Sequence, residues 1–355
     1  MSGLYDRLRA ISSRQEPPKV VAPSAACRVV EHWFDVPPFA LCDEMRLLGG
    51  CGEHPVFIDT ETTGLMGSAG TIAVLVGVGK YERGRFRVTQ YYLSDYDQED
   101  DMIGKIEQEL RGADLIVTYN GKSFDIPLLR SRFVMTRRPP SALEMPHIDL
   151  LHGARRVYKR RLYSCTLTDI ESQVLGIERE SDLPGKLVPE YWFRYVKEGD
   201  QSLMDEILRH NEQDIVSLAL LLAKLCEAYR APEAHRHRQD VLSVGRAMER
   251  MGEGDRASLF YVAAGGGEAL TALGRIYRRN GQYDDALEVF AQAAMENGSL
   301  EAMVEIAKIE EHKKQNLPNA IQWTDTALAA AQSAEWTKAL IYRRKRLKRK
   351  MGATE

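Results

Sequence analysis

The chain has few cysteines and no arrangement of them that builds a site. Its 355 residues include five cysteines, an odd number with no C-x-x-C pair: Cys27, Cys42, Cys51, Cys165 and Cys226. We therefore expect neither a disulfide framework nor a zinc site. The longest apolar run, near residues 218–222, is far shorter than the roughly 20 residues of a membrane-spanning helix. The N-terminus also lacks the apolar core of a secretory signal. These absences predict a reduced, cytoplasmic protein with no membrane segment.

The charge of the chain has no large excess of either sign. The net charge is −3, so no basic field over the whole molecule indicates nucleic acid binding. Cations are concentrated locally at Arg155, Arg156, Lys159, Arg160 and Arg161, around Tyr158, and again at Arg343, Arg344, Lys345, Arg346, Lys348, Arg349 and Lys350. The first cluster is suited to neutralising backbone phosphates, with Tyr158 or Tyr163 stacking on a base. A solvated helix face is an equally good interpretation of that cluster.

The most informative stretch is residues 56–65, where an apolar strand leads into two carboxylates. Asp59 and Glu61 are two residues apart, so in a strand their side chains point to the same face. Two ionised carboxylates that are close together repel each other unless a cation or a proton lies between them. Oxygen ligands favour Mg²⁺ or Mn²⁺. The alternative is that both residues belong to a strand-capping turn with its bend at Gly64.

Two more acidic motifs follow along the chain. Asp125 comes after an apolar strand and a polar turn, at the start of a helical pattern, where it either caps the helix or binds a metal. His210 and Asp214 are four residues apart in a helical pattern and therefore share one face. For a lone pair of this kind, a surface contact is the alternative. The order of the motifs is thus strand Asp-x-Glu, strand–turn–Asp, and helix His-x-x-x-Asp.

This order resembles the DEDD superfamily of 3′–5′ exonucleases, which have an RNase H-like fold. The segments FIDTETTGL, VTYNGKSFDIPLL, LPGKLVPEYWFRYVKEGD and HNEQDIVSLALL are most similar to the YprB-type predicted exonucleases of bacteria, over about residues 28–228. One departure concerns the histidine. Superfamily members have either His five residues before the last Asp or Tyr four residues before it, and here His210 stands at the tyrosine spacing.

The resemblance implies a two-metal phosphodiesterase site. Asp59, Glu61, Asp125 and Asp214 would bind two divalent cations, Mg²⁺ or Mn²⁺, and His210 would orient or deprotonate the attacking water. We assign Thr62, Asn120 and Lys122 to nucleic acid binding, together with the cluster from Arg155 to Arg161. For Asn120 the alternative is that it only braces the turn.

The C-terminal third carries a helical repeat. Residues 273–293 match the tetratricopeptide (TPR) pattern, and Ala286 and Ala293 recur 34 residues later as Ala320 and Ala327. We predict an α/β RNase H-like (DnaQ-like exonuclease) domain followed by an all-α TPR-like domain. The expected boundaries are a linker at 1–27, the exonuclease domain at 28–230, and the repeats with a basic C-terminal helix at 231–355.

These observations predict a metal-dependent 3′–5′ exonuclease. Its expected substrate is single-stranded DNA or RNA, and its repeats are expected to bind a protein partner. The alternative is a non-catalytic nucleic-acid-binding scaffold with the same two domains.

Overall fold

The computed structural model describes residues 26–37, 43–64, 70–179 and 183–352. The predicted linker at 1–27 therefore lies, apart from its last two residues, outside the described part of the chain. The chain forms two compact units, Met1–Arg230 and Ala231–Glu355. Within the described ranges, no helix has both the length and the apolar character needed to cross a membrane.

The first unit is built on a mixed sheet of six described strands. In chain order these are β1 (Arg28–Phe34), β2 (Pro55–Thr62), β3 (Ala73–Glu82), β4 (Arg85–Tyr92), β5 (Leu115–Thr118) and β6 (His147–Asp149). Their order across the sheet is β1-β4-β3-β2-β5-β6. The first four strands pair antiparallel, and β5 pairs parallel with both β2 and β6. Strand β2 thus lies inside the sheet, where its apolar half is buried on both faces.

The helices of this unit are α1 (Glu44–Leu48), α2 (Glu99–Glu109), α3 (Asp125–Met135), α4 (Leu150–Tyr158), α5 (Leu167–Ile170), α6 (Val188–Glu198) and α7 (Gln201–Arg230). A single π-helical turn, Glu171–Leu175, follows α5. Helix α7 packs against β2, β3 and β4. Its close approach requires glycine in β3, because a Cβ at Gly79 would lie 2.6 Å from Cγ2 of Ile215 on α7.

Three of these elements match patterns in the sequence. Two β-rich runs around a turn at residues 82–85 predict the hairpin β3–β4, an amphipathic pattern over about residues 97–111 predicts α2, and the apolar run 115–117 predicts β5. Strand β1 was not predicted. The proline-interrupted pattern of residues 28–54 indicates only a segment that packs on the domain, whereas residues 28–34 of it form a strand of the sheet. Its side chains are mostly half-buried, and it pairs with β4 at the edge of the sheet. An edge strand is buried on one side at most and carries a weak apolar signal.

The second unit is entirely helical in its described residues. Its helices are α8 (Arg238–Arg250), α9 (Gly254–Ala264), α10 (Gly266–Arg279), α11 (Tyr283–Asn297), α12 (Leu300–His312), α13 (Leu317–Ala330) and α14 (Ala334–Lys350). Consecutive helices pack in pairs through small residues. A Cβ at Gly274 on α10 would lie 2.6 Å from the Phe290 ring on α11. Ala286, Ala293, Ala320 and Ala327 are fully buried, as the repeat pattern requires.

The predicted basic C-terminal helix is α14, and part of its charge is used inside the fold. The side chain of Glu311 on α12 is completely buried, and it accepts hydrogen bonds from Arg343, Arg346 and Lys350. Arg344 pairs with Asp325. These four cations hold α14 in place, so fewer charges face a ligand than the sequence suggests.

Candidate active site

Asp59 and Glu61 are presented by the C-terminal half of β2. The strand begins with four buried residues, and from Asp59 onward its residues are half-buried except for Glu61. Glu61 is buried, and the register with β3 shifts between Glu61 and Thr62. Such a bulge re-aims the side chains next to it and is common beside functional sites.

Asp125 is the first residue of α3 and faces the same end of β2. Its Oδ1 accepts hydrogen bonds from both the backbone N–H and the hydroxyl of Thr60, at 3.0 and 2.6 Å. Burial raises the pKa of Asp125 to about 6, and the bonds from Thr60 act in the opposite direction. A cation that binds next to this buried carboxyl would stabilise its ionised form.

Helix α7 brings His210 and Asp214 to the two β2 carboxylates. Nε2 of His210 lies 3.5 Å from Oε1 of Glu61 and 3.7 Å from Oδ2 of Asp214. Residues from β2, α3 and α7, far apart in the sequence, therefore meet at one place.

The electrostatics of Asp59 reflect this crowding. Its pKa is raised well above the usual range, first by burial and then by the negative charges of Asp214, Asp125 and Glu61. The four carboxylates supply oxygen ligands and excess negative charge, which fit a divalent cation of the Mg²⁺ class. Within the described ranges, however, no three acidic, histidine or cysteine side chains already surround a common point closely enough to hold an ion. Binding would thus require small side-chain movements.

A buried amide that the sequence did not identify orients Asp59. Asn211 is completely buried, and its Nδ2 donates to Oδ2 and to the main-chain oxygen of Asp59, at 2.8 and 3.2 Å. Its Oδ1 accepts from Nε2 of Gln90 at 2.9 Å. A Cβ at Gly77 would lie only 2.1 Å from that Oδ1. The only signal in the sequence is the position of Asn211 next to His210.

A cation from the protein itself is also present, and no motif indicates it. Arg179 donates to Oδ1 of Asp214 from Nη2, and its Nη1 lies 3.2 Å from Nδ1 of His210. Its Nε and Nη2 bind both oxygens of Glu171 at 2.5 and 2.8 Å. Because a guanidinium has no acceptor, Nδ1 of His210 must accept in this contact. Nε2 is then the nitrogen that carries the proton of the neutral ring.

Three residues assigned to nucleic acid binding lie near the carboxylates, Thr62 at the end of β2 and Asn120 and Lys122 in the turn before α3. Asn120 has a left-handed backbone, with φ of 65°, and its N–H donates to Oδ1 of Asp149 at 2.7 Å. The N–H of Lys122 donates to Oδ2 of the same residue, and the Lys122 side chain is exposed. The hydroxyl of Thr62 donates to the carbonyl of Gly64 at 2.7 Å. Asp149 thus shapes the turn that carries Asn120.

The basic cluster from Arg155 to Arg161 is only partly available to a ligand. Arg155, Lys159 and Arg160 are exposed, whereas Arg156 donates to the main-chain oxygen of Leu47 at 2.8 Å. The expectation that Tyr158 stacks on a base is wrong, because its ring is 3% exposed and Arg161 covers it at 5.8 Å. Its position in α4 turns it into the core beside Val157. The other aromatic considered, Tyr163, is fully exposed.

Comparison with known proteins gives two matches to family models. The RNase H superfamily model matches residues 56–226, and a tetratricopeptide repeat model matches residues 269–300. The predicted order of an RNase H-like domain and a TPR-like region is thereby confirmed.

Two individual proteins are also similar. An uncharacterized protein, YprB of Bacillus subtilis (strain 168), is 33% identical over 318 residues, which cover 83% of this chain and 74% of that protein. Among solved structures, the family B DNA polymerase of the archaeon Pyrobaculum calidifontis aligns with a TM-score of 0.41 and 19% identity. That alignment covers 64% of this chain and 29% of the polymerase. The extent of the match to YprB, together with the two family models, shows that the chain belongs to the YprB family, with an RNase H-like domain and a TPR region.

Proposed function

We propose that this protein is a metal-dependent nuclease, a 3′–5′ exonuclease that hydrolyses phosphodiester bonds of single-stranded DNA or RNA. The observation that carries the proposal is the convergence of carboxylates from β2, α3 and α7. Thr60, next to Asp59, donates to Asp125, and Nε2 of His210 lies 3.5 Å from Glu61 and 3.7 Å from Asp214. A fold gains no stability from four acidic side chains placed together in this way. Membership in the RNase H superfamily supports a nuclease as the reason for their placement.

In this proposal Asp59, Glu61, Asp125 and Asp214 hold two divalent cations, Mg²⁺ or Mn²⁺. When bound, such cations activate a water molecule and neutralise the charge that develops on the scissile phosphate. Thr60 keeps Asp125 directed toward the site, and Asn211 does the same for Asp59.

His210 is proposed to position the attacking water from Nε2, the ring nitrogen that faces Glu61 and Asp214. For His210 to accept a proton at Nε2 as a general base, Nδ1 must instead carry a proton, and the contact with Arg179 must open. Replacement by alanine should therefore lower the turnover rate and leave metal binding nearly intact.

The proposed path of the nucleic acid follows the exposed cations on and after α4. Arg155, Lys159 and Arg160 are exposed there, and Tyr163 offers a free aromatic face for base stacking. Thr62, at the end of β2, and Asn120 and Lys122, in the turn before α3, are proposed to hold the terminal nucleotide.

The test is degradation of single-stranded DNA and RNA, labelled at either end, with Mg²⁺ or Mn²⁺. Asp59→Asn and Asp214→Asn should each lower the cleavage rate about 100-fold or more. The control is Asp205→Asn, at an exposed aspartate on α7, the helix of Asp214, and it should have little effect on that rate. Shortening of 5′-labelled strands one nucleotide at a time supports the 3′–5′ direction. Binding without any cleavage in either metal would favour the scaffold interpretation.

We further propose that residues 231–355 form a separate domain that recruits a protein partner. Stacked helical repeats create an extended concave surface, and this unit has no cluster of candidate metal ligands among its described residues. A chain ending at Arg230 should remain folded and cleave short substrates at the rate of the full chain. Loss of all activity in a soluble, monodisperse truncated protein would show that the division is wrong.

A further inference from the structure

The carboxylates of the candidate active site already have a cationic partner that comes from the protein. Arg179 lies just after the π-helical turn Glu171–Leu175 and the glycine that ends it, and its side chain is largely buried. One guanidinium contacts Glu171, Asp214 and His210 together. Arg179 therefore joins the scaffold of the unit to two of the residues proposed for catalysis.

The two carboxylates that share Arg179 differ in their surroundings. Glu171 is 1% exposed, and its oxygens accept two bonds from Arg179 and another from the hydroxyl of Ser217 on α7. Asp214 accepts a single bond from Arg179, and its second oxygen faces His210. Glu171 thus holds the arginine by two hydrogen bonds in a fully buried place, whereas Asp214 holds it by one.

We propose that Arg179 is an internal competitor for the metal, which occupies Asp214 until a divalent cation displaces it. This inference rests on the proposed metal site. Four carboxylates without a metal repel one another, and Arg179 relieves that repulsion at the Asp214 end. Once a divalent cation is bound, the same guanidinium charge opposes it, so both cannot bind Asp214 equally well.

The displacement requires only a small movement. Arg179 keeps both hydrogen bonds to Glu171 when it releases Asp214, so its charge is never left unpaired in a buried position. The bond to Asp214 comes from Nη2, whereas the contact with Nδ1 of His210 comes from Nη1.

The test measures Mn²⁺ binding to the full chain by calorimetry or by electron paramagnetic resonance, without nucleic acid. Arg179→Gln should bind Mn²⁺ about tenfold more tightly than the native protein, because a unit charge close to a divalent ion is removed. Arg179→Lys keeps the charge and should remain within about threefold of the native affinity. Arg138→Gln, which removes an arginine paired with Glu107 and Asp100 elsewhere in this unit, should leave the affinity unchanged.

Arg179→Gln leaves Glu171 buried without its partner, so folding requires a separate control. The double variant Glu171→Gln/Arg179→Gln removes both charges and keeps the net charge of the protein. It should also bind Mn²⁺ more tightly than the native protein.

The results separate this inference from the proposed function. If the native protein binds Mn²⁺ and the Asp59→Asn variant does not, the proposed metal site is supported. Equal or weaker binding by Arg179→Gln and by the double variant then overturns the competitor role alone. If neither the native protein nor any variant binds Mn²⁺, both proposals are wrong.

Discussion

The side-chain amide of Asn211 donates a 2.8 Å hydrogen bond to Oδ2 of Asp59, across 152 positions of the sequence. Asn211 is fixed in turn by Gln90 on β4 and by the absence of a side chain at Gly77 on β3. A buried polar chain of this kind restricts Asp59 to one orientation. Three neighbouring strands and α7 are needed to build it, so the sheet and the candidate site form one structural unit.

Replacement of Asn211 by leucine should weaken the metal site without unfolding the protein. Leucine branches at the same carbon as asparagine but cannot donate to Asp59, and loss of a residue that orients a ligand typically costs 10- to 100-fold in metal affinity or activity. Mn²⁺ titration measures the effect. The matched control is Gln213→Leu on the same helix, since the side-chain nitrogen of Gln213 has no hydrogen-bond partner in the described structure. Equal losses in both variants would contradict a specific role for Asn211.

Replacement of Gly77 by alanine should act through Asn211. The added Cβ would meet Oδ1 of Asn211 at 2.1 Å and push the amide away from Asp59. We expect a loss of Mn²⁺ affinity of about 10- to 100-fold, as for the asparagine itself. In a double-mutant cycle with Asn211→Ala the two losses should be far from additive, because both act on one contact. Additive losses would show that Gly77 acts elsewhere. Gly185→Ala, at a glycine with open space around it, is the control.

Stability should fall in mild acid because of His147. Burial, assisted by the charge of Lys122, lowers the pKa of His147 to about 4, and its Nε2 lies 2.8 Å from the hydroxyl of Thr118. Between about pH 6.5 and pH 4 the unfolded chain binds a proton that the folded protein does not, so stability is lost as the pH falls. His147→Gln should reduce this loss by about 1–3 kcal/mol. Urea unfolding at pH 7.5 and pH 4.5 measures it, and identical pH dependence in both proteins would contradict the assignment.

Replacement of Glu311 by glutamine should loosen the C-terminal helix. Three cations of α14 converge on this buried carboxylate, and two of them, Arg346 and Lys350, are more than a third exposed. Water screens those two, so we expect a loss of about 1–3 kcal/mol, less than for a fully buried pair. Hydrogen exchange of residues 334–350 should rise, while that of α10 and α11 should change little. Unchanged exchange in α14 would mean that apolar contacts alone hold it. Glu301→Gln, at an exposed pair with Arg275, is the control.

The sequence by itself determined the parts that depend on local pattern. The apolar strand that leads into Asp59, the strand and helical pattern on either side of the turn before Asp125, and the four-residue spacing of His210 and Asp214 require only the periodicity of strands and helices. The TPR pattern is equally local, since small residues recur wherever two helices pack closely. These features indicated the RNase H-like domain followed by helical repeats, and both were confirmed.

Only the tertiary structure decided which side chains surround these residues. Asn211 donates a hydrogen bond to Asp59, and Arg179 donates one to Asp214. Tyr158 packs into the core. None of these contacts has a periodic signal in the sequence. The same holds for Glu311, which removes part of the apparent charge of the C-terminal helix. The physical reason is that hydrogen bonds and ion pairs depend on where distant segments meet. That meeting is set by the packing of the whole sheet and its helices, whereas strand and helix patterns are set by neighbours along the chain.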